Sequence, residues 1–366
     1  MKNLEFPIIG TRLQAPGAQV TGGQAKGSYK TFDISSPSGR KKYFEAKVGD
    51  EIKYISKYLE NGSFIVYLLG KKNSGKGTYS KLVTEIFGED KIAHVSVGDL
   101  VRETDDWKTF VKSGRFKKLE RYYRGYVAFD DIVKSLSSRS TEKLLPTEFI
   151  LALLKAHIDE LKGKAIFIDG LPRAMDQISY SLYFRDIINY RQDPDFFALI
   201  DIPESVIDER MKYRVVCPRC QTSRNIKLLI TSKIEYDKKA KEFYLVCDNP
   251  TCKGARMVRK EGDEKGLEPI RERLMNDEEL IKTAFQLHGI PKILMRNHVP
   301  VAEADKYFDH YELTPEYSFK WDEKSKKVKV VEKPWTVKDD NGEECYSLLA
   351  PAVVVGFIKQ ISEVLL

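Results

Sequence analysis

Residues 64–78 read Phe-Ile-Val-Tyr-Leu-Leu-Gly-Lys-Lys-Asn-Ser-Gly-Lys-Gly-Thr and constrain the fold more than any other stretch. Phe64 to Leu69 is a short apolar run rich in strand formers. Gly70, Asn73, Ser74, Gly75, Lys76, Gly77 and Thr78 follow in the order G-x-x-x-x-G-K-x-T, the P-loop pattern with Gly77 set between the lysine and the threonine. From Ser80 through Leu82, Val83 and Ile86 to Phe87 the apolar spacing is that of an amphipathic helix. A strand, a glycine-rich loop and a helix N-terminus thus stand in the order that cradles a phosphate. Glycines let backbone N–H groups converge, and the helix dipole favours negative charge. In such loops the lysine, here Lys76, reaches the β- and γ-phosphates, and the threonine, here Thr78, ligates Mg²⁺. Asn73 stands where many such loops carry glycine, and asparagine tolerates left-handed backbone angles.

Further strand candidates are Ile92 to Val97, Ala165 to Ile168 and Phe196 to Ile202. The stretch 105–142 is charged and helical in character, with Tyr122, Tyr123 and Tyr126 adding aromatic surface. Pro146-Thr147-Glu148 opens a strongly apolar helix through Phe149, Ile150, Leu153, Leu154 and Ile158, and another helix starts near Pro203. Strands alternating with helices predict an α/β fold with a parallel sheet. Ligands of such sheets bind at the carboxyl ends of the strands. The P-loop, Asp99 and Asp169 each follow a strand directly, so they are predicted to converge.

The 366 residues, 42% hydrophobic, suffice for two or three domains. The net charge of +7 is mild; it suits polyanionic small molecules and does not demand nucleic acid. Met1 to Pro7 lacks the apolar core of a signal peptide, and the uncharged run Cys345 to Ile358 is too short to span a membrane. A cytoplasmic protein is expected, and five cysteines in a reducing compartment point to metal rather than disulfides.

Residues 1–30 show little periodicity and are expected to be extended or partly disordered. Ser36-Pro37 starts a helix in which Tyr43, Phe44, Val48, Ile52, Ile55 and Tyr58 keep helical spacing to Leu59, interrupted at Gly49. Asn61-Gly62 closes it.

The motifs beyond the P-loop resemble those of one family. Val95-Ser96-Val97-Gly98-Asp99-Leu100-Val101-Arg102 resembles the nucleotide-binding segment of the adenylate kinase-like nucleoside monophosphate kinases. Asp169-Gly170-Leu171-Pro172-Arg173-Ala174-Met175-Asp176-Gln177 resembles their D-G-F-P-R-x-x-x-Q motif, and Lys143 to Glu148 the segment lining their monophosphate site. Glu209 to Arg214 resembles the entrance to their lid; Arg259-Lys260 and Ile270 to Leu274 resemble its exit. These matches keep the family's order across most of residues 64–296.

The resemblance implies a P-loop three-layer parallel sheet with helices on both faces. The CORE would comprise 61–97, 165–212 and 266–366, with a C-terminal β insertion at about 312–350. A helical monophosphate-binding insert would occupy 98–164 and a small zinc-ribbon β lid 213–265, with 1–60 an extension. Gly70, Asn73, Ser74, Gly75, Lys76, Gly77, Thr78, Arg210 and Arg214 would contact ATP. Val97, Gly98, Arg102, Leu145, Gly170, Arg173 and Gln177 would contact AMP. By the same resemblance Arg102 and Arg173 hold the monophosphate, Arg214, Arg259 and Arg273 clamp the transferring group, Arg210 stacks on the donor base, and Asp169 orients Mg²⁺-bound water.

The chemistry agrees. Moving a phosphoryl group between polyanions needs rigid, bidentate positive charge, which arginine supplies best. No protein nucleophile is required, because catalysis is positioning and electrostatics. A lone arginine is most often a solvated surface residue; Lys76, Arg102, Arg173, Arg214, Arg259 and Arg273 all stand at motif positions. Gln177 carries one amide donor and one acceptor for the adenine edge, whereas pyrimidine-specific relatives often carry asparagine there. Val97 departs from the family, which often has a hydroxyl residue at this place.

Cys217-Pro-Arg-Cys220 is a knuckle of the zinc-ribbon type, and Cys247-Asp-Asn-Pro-Thr-Cys252 supplies a second pair. Four thiolates suit a closed, tetrahedral, structural Zn²⁺ site. Lys227 to Ile234 and Glu242 to Val246 read as strands between the pairs, and Cys345 as a plain thiol. Residues 275–296 read as a helix; Tyr317 to Trp321, Val328 to Val331 and Trp335 to Val337 as strands; and Val353 to Leu366 as a closing helix. The sequence thus predicts a monomeric ATP:AMP phosphotransferase using Mg²⁺ and structural Zn²⁺, without membrane or nucleic-acid partners. The alternatives are a UMP or CMP kinase and a zinc-ribbon nucleic-acid-binding protein with a nucleotide switch. A P-loop GTPase fits poorly, since no N-K-x-D motif is present.

Overall fold

The structure, a computed structural model, describes residues 4–12, 31–137, 146–161, 163–173, 175, 177–178, 194–231 and 233–366. The first strands fall where the sequence places them: β1 (Ile65–Gly70), β2 (Ile92–Ser96), β3 (Ala165–Asp169) and β4 (Asp195–Asp201). The cysteine-bearing segment holds β5 (Arg214–Val216), β6 (Ser223–Asn225), β7 (Ile234–Asp237), β8 (Glu242–Leu245) and β9 (Val258–Arg259). Beyond it come β10 (Lys292–Arg296), β11 (His298–Pro300), β12 (Pro315–Asp322), β13 (Lys327–Pro334), β14 (Thr336–Lys338) and β15 (Glu344–Ser347).

The central sheet has the order β10-β4-β1-β3-β2, with every pair parallel. Alternate residues of β1 enter opposite cores, Val66 and Leu68 on one face and Ile65, Tyr67 and Leu69 on the other. A strand buried on both sides has no polar face, which is why residues 64–69 are continuously apolar. Helices Lys76–Phe87 and Ala350–Leu365 cover the first face; helices Thr147–Ile158 and Arg271–Gln286 cover the second. The fold is therefore α/β, three-layered, with the P-loop at the carboxyl edge of the sheet.

Two sequence expectations are corrected. Residues 275–296 are not one helix: Arg271–Gln286 is helical, and Lys292–Arg296 is the fifth strand. Gly289 at φ +73° and Pro291 break the helix, and parallel pairing with β4 then captures Ile293 and Met295 as core residues. The stretch 105–142 is helical in its described part, as expected, in three separate helices, Trp107–Phe110, Gly114–Tyr122 and Phe129–Ser137. Ser113 restarts the chain by capping Phe116 N–H, and Tyr123 turns extended. Lys227 to Ile234 is not a strand, because the Asn225 side chain takes the N–H groups of Lys227 and Leu228 at 2.9 Å each and turns the backbone. Residues 138–145, with Leu145, and 13–30 of the extension lie outside the described residues.

The extension's helix runs Pro37–Tyr58, capped by Ser36 and kinked at Val48, beside Gly49. It buries Tyr43, Phe44, Val48 and Ile55 in the core that helix Ala350–Leu365 shares. That second cover explains why the C-terminal helix is apolar nearly all round. Beneath it the Lys47 ammonium lies 2.9 Å from Asp309 and 3.7 Å from Glu312. Glu312, fully buried, also accepts the hydroxyls of Tyr43 at 2.6 Å and Thr11 at 2.5 Å. The backbone N–H groups of Thr11 and Arg12 donate to Tyr307 O at 3.0 and 3.1 Å. Residues 4–12, helix Pro37–Tyr58 and the loop before β12 thus interlock. Among the described residues, no helix is long and apolar enough to cross a membrane.

Candidate functional site

The loop after β1 folds as its residue types require. Asn73 takes φ +65° and Gly75 φ +101°. A Cβ on Gly75 would meet the Tyr79 ring at 3.0 Å, so this position needs glycine on two counts. The Lys76 ammonium turns back onto the loop, donating to Gly70 O at 2.7 Å and Lys71 O at 3.2 Å, and lies 3.9 Å from Asp169 at the end of β3. Ser74 Oγ and Asn73 Nδ2 are buried without hydrogen-bond partners among the described residues. Thr78 is exposed at the helix start.

Around this loop the cations crowd one another. Burial holds the Lys76 ammonium below its ordinary range; Asp169 and Asp277 act against that, while Arg273 and Arg173 add to it. Burial likewise lowers Lys72, with Arg273, Lys260 and Arg214 adding repulsion. It also lowers Arg173, again with Arg273 beside it. Arg173 and Arg102 converge at Gly98: a Cβ there would meet Arg173 Nη2 at 3.1 Å and Arg102 Nη1 at 3.6 Å. A Cβ on Gly170 would meet Arg173 Nη2 at 2.7 Å, so the two glycines seat the guanidinium. Arg102 pairs with Asp99, whose N–H is capped by Ser96.

Arg214 forks onto Asp263 at 2.5 and 2.6 Å and reaches Asn73 Oδ1 at 3.3 Å, bringing the cysteine-bearing segment against the P-loop. Arg259 is exposed and makes no ion pair among the described residues; its neighbour Lys260 is the one whose charge bears on Lys72. Arg210 is held by Asn297 at 3.3 Å, and burial lowers its pKa while Tyr79 opposes this. Gln177 accepts Arg173 N–H at 2.7 Å and donates to Thr147 at 3.1 Å, so its amide is engaged within the protein. Val97 is buried and offers no hydrogen bond.

Sequence reasoning assigned no role to Lys71, Lys72 or Asp277, and placed Lys260 at the lid exit without one. Asp277 accepts Lys72 N–H at 2.8 Å, and burial raises its pKa against the pull of Lys76 and Arg273. Lys71 is buried with Glu204 at 2.9 Å, Glu278 at 3.0 Å and Asp340 at 3.3 Å. Those carboxylates outweigh burial and raise the ammonium's pKa. The doubled lysine after Gly70 was a signal for them; the acids come from helices and loops far along the chain.

In the cysteine-bearing segment the sulfurs of Cys217, Cys220, Cys247 and Cys252 all lie within 4.8 Å of one another. Thr222, its hydroxyl 3.2 Å from Cys220 Sγ, draws that thiol down to about 6, whereas burial pushes Cys247 up to about 12. Such a thiol set suits a divalent ion that holds all four as thiolates. Cys345 is buried elsewhere, its thiol donating to Val337 O at 3.2 Å.

A parallel sheet with a P-loop at its carboxyl edge, ringed by basic side chains from four separate segments, marks an α/β protein of the P-loop class. No family model matches the chain. Individual relatives do. It is 31% identical over 210 residues to an adenylate kinase of Clostridium tetani, covering 57% of this chain and 79% of that protein. Against the adenylate kinase of Clostridium novyi it is 32% identical over 163 residues, 44% of this chain and 63% of the relative. Against that of Malacoplasma penetrans it is 27% identical over 234 residues, 63% and 88%. The chain belongs to the adenylate kinase family.

Proposed function

We propose that this protein transfers the terminal phosphoryl group of ATP to AMP. The observation that carries this is the mutual crowding of Lys72, Lys76, Arg173 and Arg273 at the P-loop, with Arg102 and Arg214 at its edges. Like charges driven together cost stability unless a polyanion neutralises them, and two nucleotides supply that. The P-loop amides and Lys76 would hold the donor phosphates, and Arg210 its base. Arg102 and Arg173 would hold the acceptor phosphate at Gly98. Arg273 and Arg214 would meet the transferring group, and water is excluded when residues 213–265 close on the P-loop.

Mg²⁺, held by Thr78 and through water by Asp169, would neutralise phosphate charge. The exposed Thr78 at the helix start and the Asp169 carboxylate beside Lys76 fit that role. The four cysteines would hold a structural Zn²⁺. We further propose the division into CORE, monophosphate-binding insert 98–164 and lid 213–265. A kinase acting on UMP or CMP is the second reading, favoured by the buried, non-bonding Val97 and the engaged amide of Gln177.

The test is product formation by zinc-loaded protein given ATP and Mg²⁺ with AMP, UMP, CMP or GMP, beside Lys76→Ala. ADP formed with AMP alone, and lost in the variant, supports the proposal. Turnover only with UMP or CMP overturns the base assignment, and no turnover with any acceptor overturns the enzyme reading.

A further inference from the structure

Two hairpins meet outside the site. Hairpin β7–β8 belongs to the cysteine-bearing segment, and hairpin β12–β13 belongs to the stretch between β11 and the C-terminal helix. Tyr236 of β7 stacks on Trp321 of β12, ring centroids 5.1 Å apart and planes 24° apart. Phe243 of β8 lies 5.7 Å from Phe319 of β12, and Tyr236 and Phe243 touch each other at 4.8 Å. Lys238 sits over the Trp321 ring at 5.2 Å. Nearer the base, Tyr317 N–H donates to Lys227 O at 2.7 Å, and the Lys227 ammonium lies 3.3 Å from Glu316.

The far ends of this contact are both tied down. Pro315 pairs with Pro334 at the root of β12–β13. Next to it, Trp335 and Val337 pack into one cluster with Val206, Ile207 and Met211 of helix Glu204–Lys212. Asp340 accepts the first N–H of that helix at 2.8 Å and holds Lys71 of the P-loop. In the other direction, Leu245 O accepts Met257 N–H at 2.9 Å, and the strand continues into β9, where Arg259 registers with Val215, next to Arg214 of β5. A continuous packed path therefore leads from Trp321 and Phe319 through β8 and β9 to the two segment arginines.

On the P-loop side the segment's contacts are mixed. Arg214 reaches Asn73 Oδ1 at 3.3 Å, while the charges of Lys260 and Arg214 oppose Lys72 and that of Asp263 attracts it. The hairpin contact adds an apolar and charge-paired tie on the other side of the segment.

We propose that hairpin β12–β13 is a brace that holds the zinc lid over the P-loop, and that Trp321 and Phe319 are its positioning residues. They act through β8 and β9 on Arg214 and Arg259 without touching nucleotide. The proposal rests on the reading of residues 213–265 as a moving lid.

The test compares zinc-loaded wild type, Trp321→Ala/Phe319→Ala, and the conservative Trp321→Phe. Dyes on Ser223→Cys and Lys42→Cys, both exposed positions, report lid-to-core distance by energy transfer without nucleotide. The double variant is expected to raise the open-to-closed ratio about tenfold (about 1.4 kcal/mol). The KM for ATP should rise by a similar factor while kcat holds or increases. Trp321→Phe should restore most of both. Melting temperature and zinc content serve as controls, and neither should change.

Identical distance distributions and KM in the double variant overturn the brace, as does a fall in kcat at constant KM. If the double variant does not fold or loses zinc, the milder Phe319→Leu and Glu316→Gln decide. A shift toward the open lid in either supports the brace, and none in both refutes it. Because the distance measurement needs no turnover, absence of activity with every acceptor would reject the kinase reading while leaving the brace separately decided.

Discussion

Withdrawing the proposed Zn²⁺ is the most informative perturbation of segment 213–265. Its buried cluster comprises Val215, Cys217, Leu245, Cys247, Cys252 and Met257, so half of it is the thiols themselves. The other three side chains contribute about 1.5–3 kcal/mol each, or about 5–9 kcal/mol together. A structural Cys₄ zinc adds about 10–16 kcal/mol at neutral pH, more than the apolar burial itself. Removing it with a strong chelator should therefore unfold the segment while the parallel sheet, with its own two large cores, stays folded. Hydrogen exchange should show β5–β9 losing protection and β1, β3 and β4 keeping it. Thiol titration gives an independent count. The four clustered cysteines should become reactive together. Cys345, which is buried and whose thiol burial pushes up to about 12, should stay slow. Chelated protein that keeps β5–β9 protected and its thiols silent would falsify the claim that metal, rather than packing, holds this segment.

Other outcomes follow from the same geometry. Lys47→Met should cost about 3–5 kcal/mol, because it takes the buried ammonium from Asp309 and Glu312 and leaves them Arg12 at 3.5 Å and two hydroxyls; denaturant unfolding would read it, and a change below about 0.5 kcal/mol, the scale of a neutral surface substitution, would contradict the buried-pair account. Gly75→Ala should weaken ATP binding at least about tenfold by calorimetry, since the φ of +101° and the Tyr79 ring both reject a Cβ; unchanged affinity would show that the loop relaxes freely. Lys76 and Lys72 are held by burial below the ordinary 10.5, so in the window between their native values and 10.5 the unfolded chain binds more protons and stability rises with pH. Melting temperatures taken upward from neutral pH should show that rise, and Lys72→Ala should flatten it; a slope indifferent to Lys72 would refute the assignment.

How much of this was legible in the sequence varies by element. The P-loop, the strands β1 to β4 and the cysteine pairs were readable because each depends on local chemistry: a both-sides-buried strand is an apolar run, a left-handed turn takes Asn or Gly, and a knuckle needs its two thiols close in the chain. β10 was not readable, since Ile293 to Met295 following a helix looks like its continuation until parallel pairing with β4 is available. The turn at Asn225 was likewise hidden, because a side-chain amide capturing two backbone N–H groups leaves no periodic trace.

The sequence by itself determined the class of the fold, the phosphate loop and the residue types that could serve it, because these are properties of short windows. Only the tertiary structure decided which of them meet. It set Lys260 rather than Arg259 beside Lys72, surrounded Lys71 with three acids from distant segments, locked Lys47 onto Asp309 and Glu312, and laid Trp321 on Tyr236. Charge and stacking act through space over a few ångströms, and residues hundreds of positions apart reach that range only after the chain has packed.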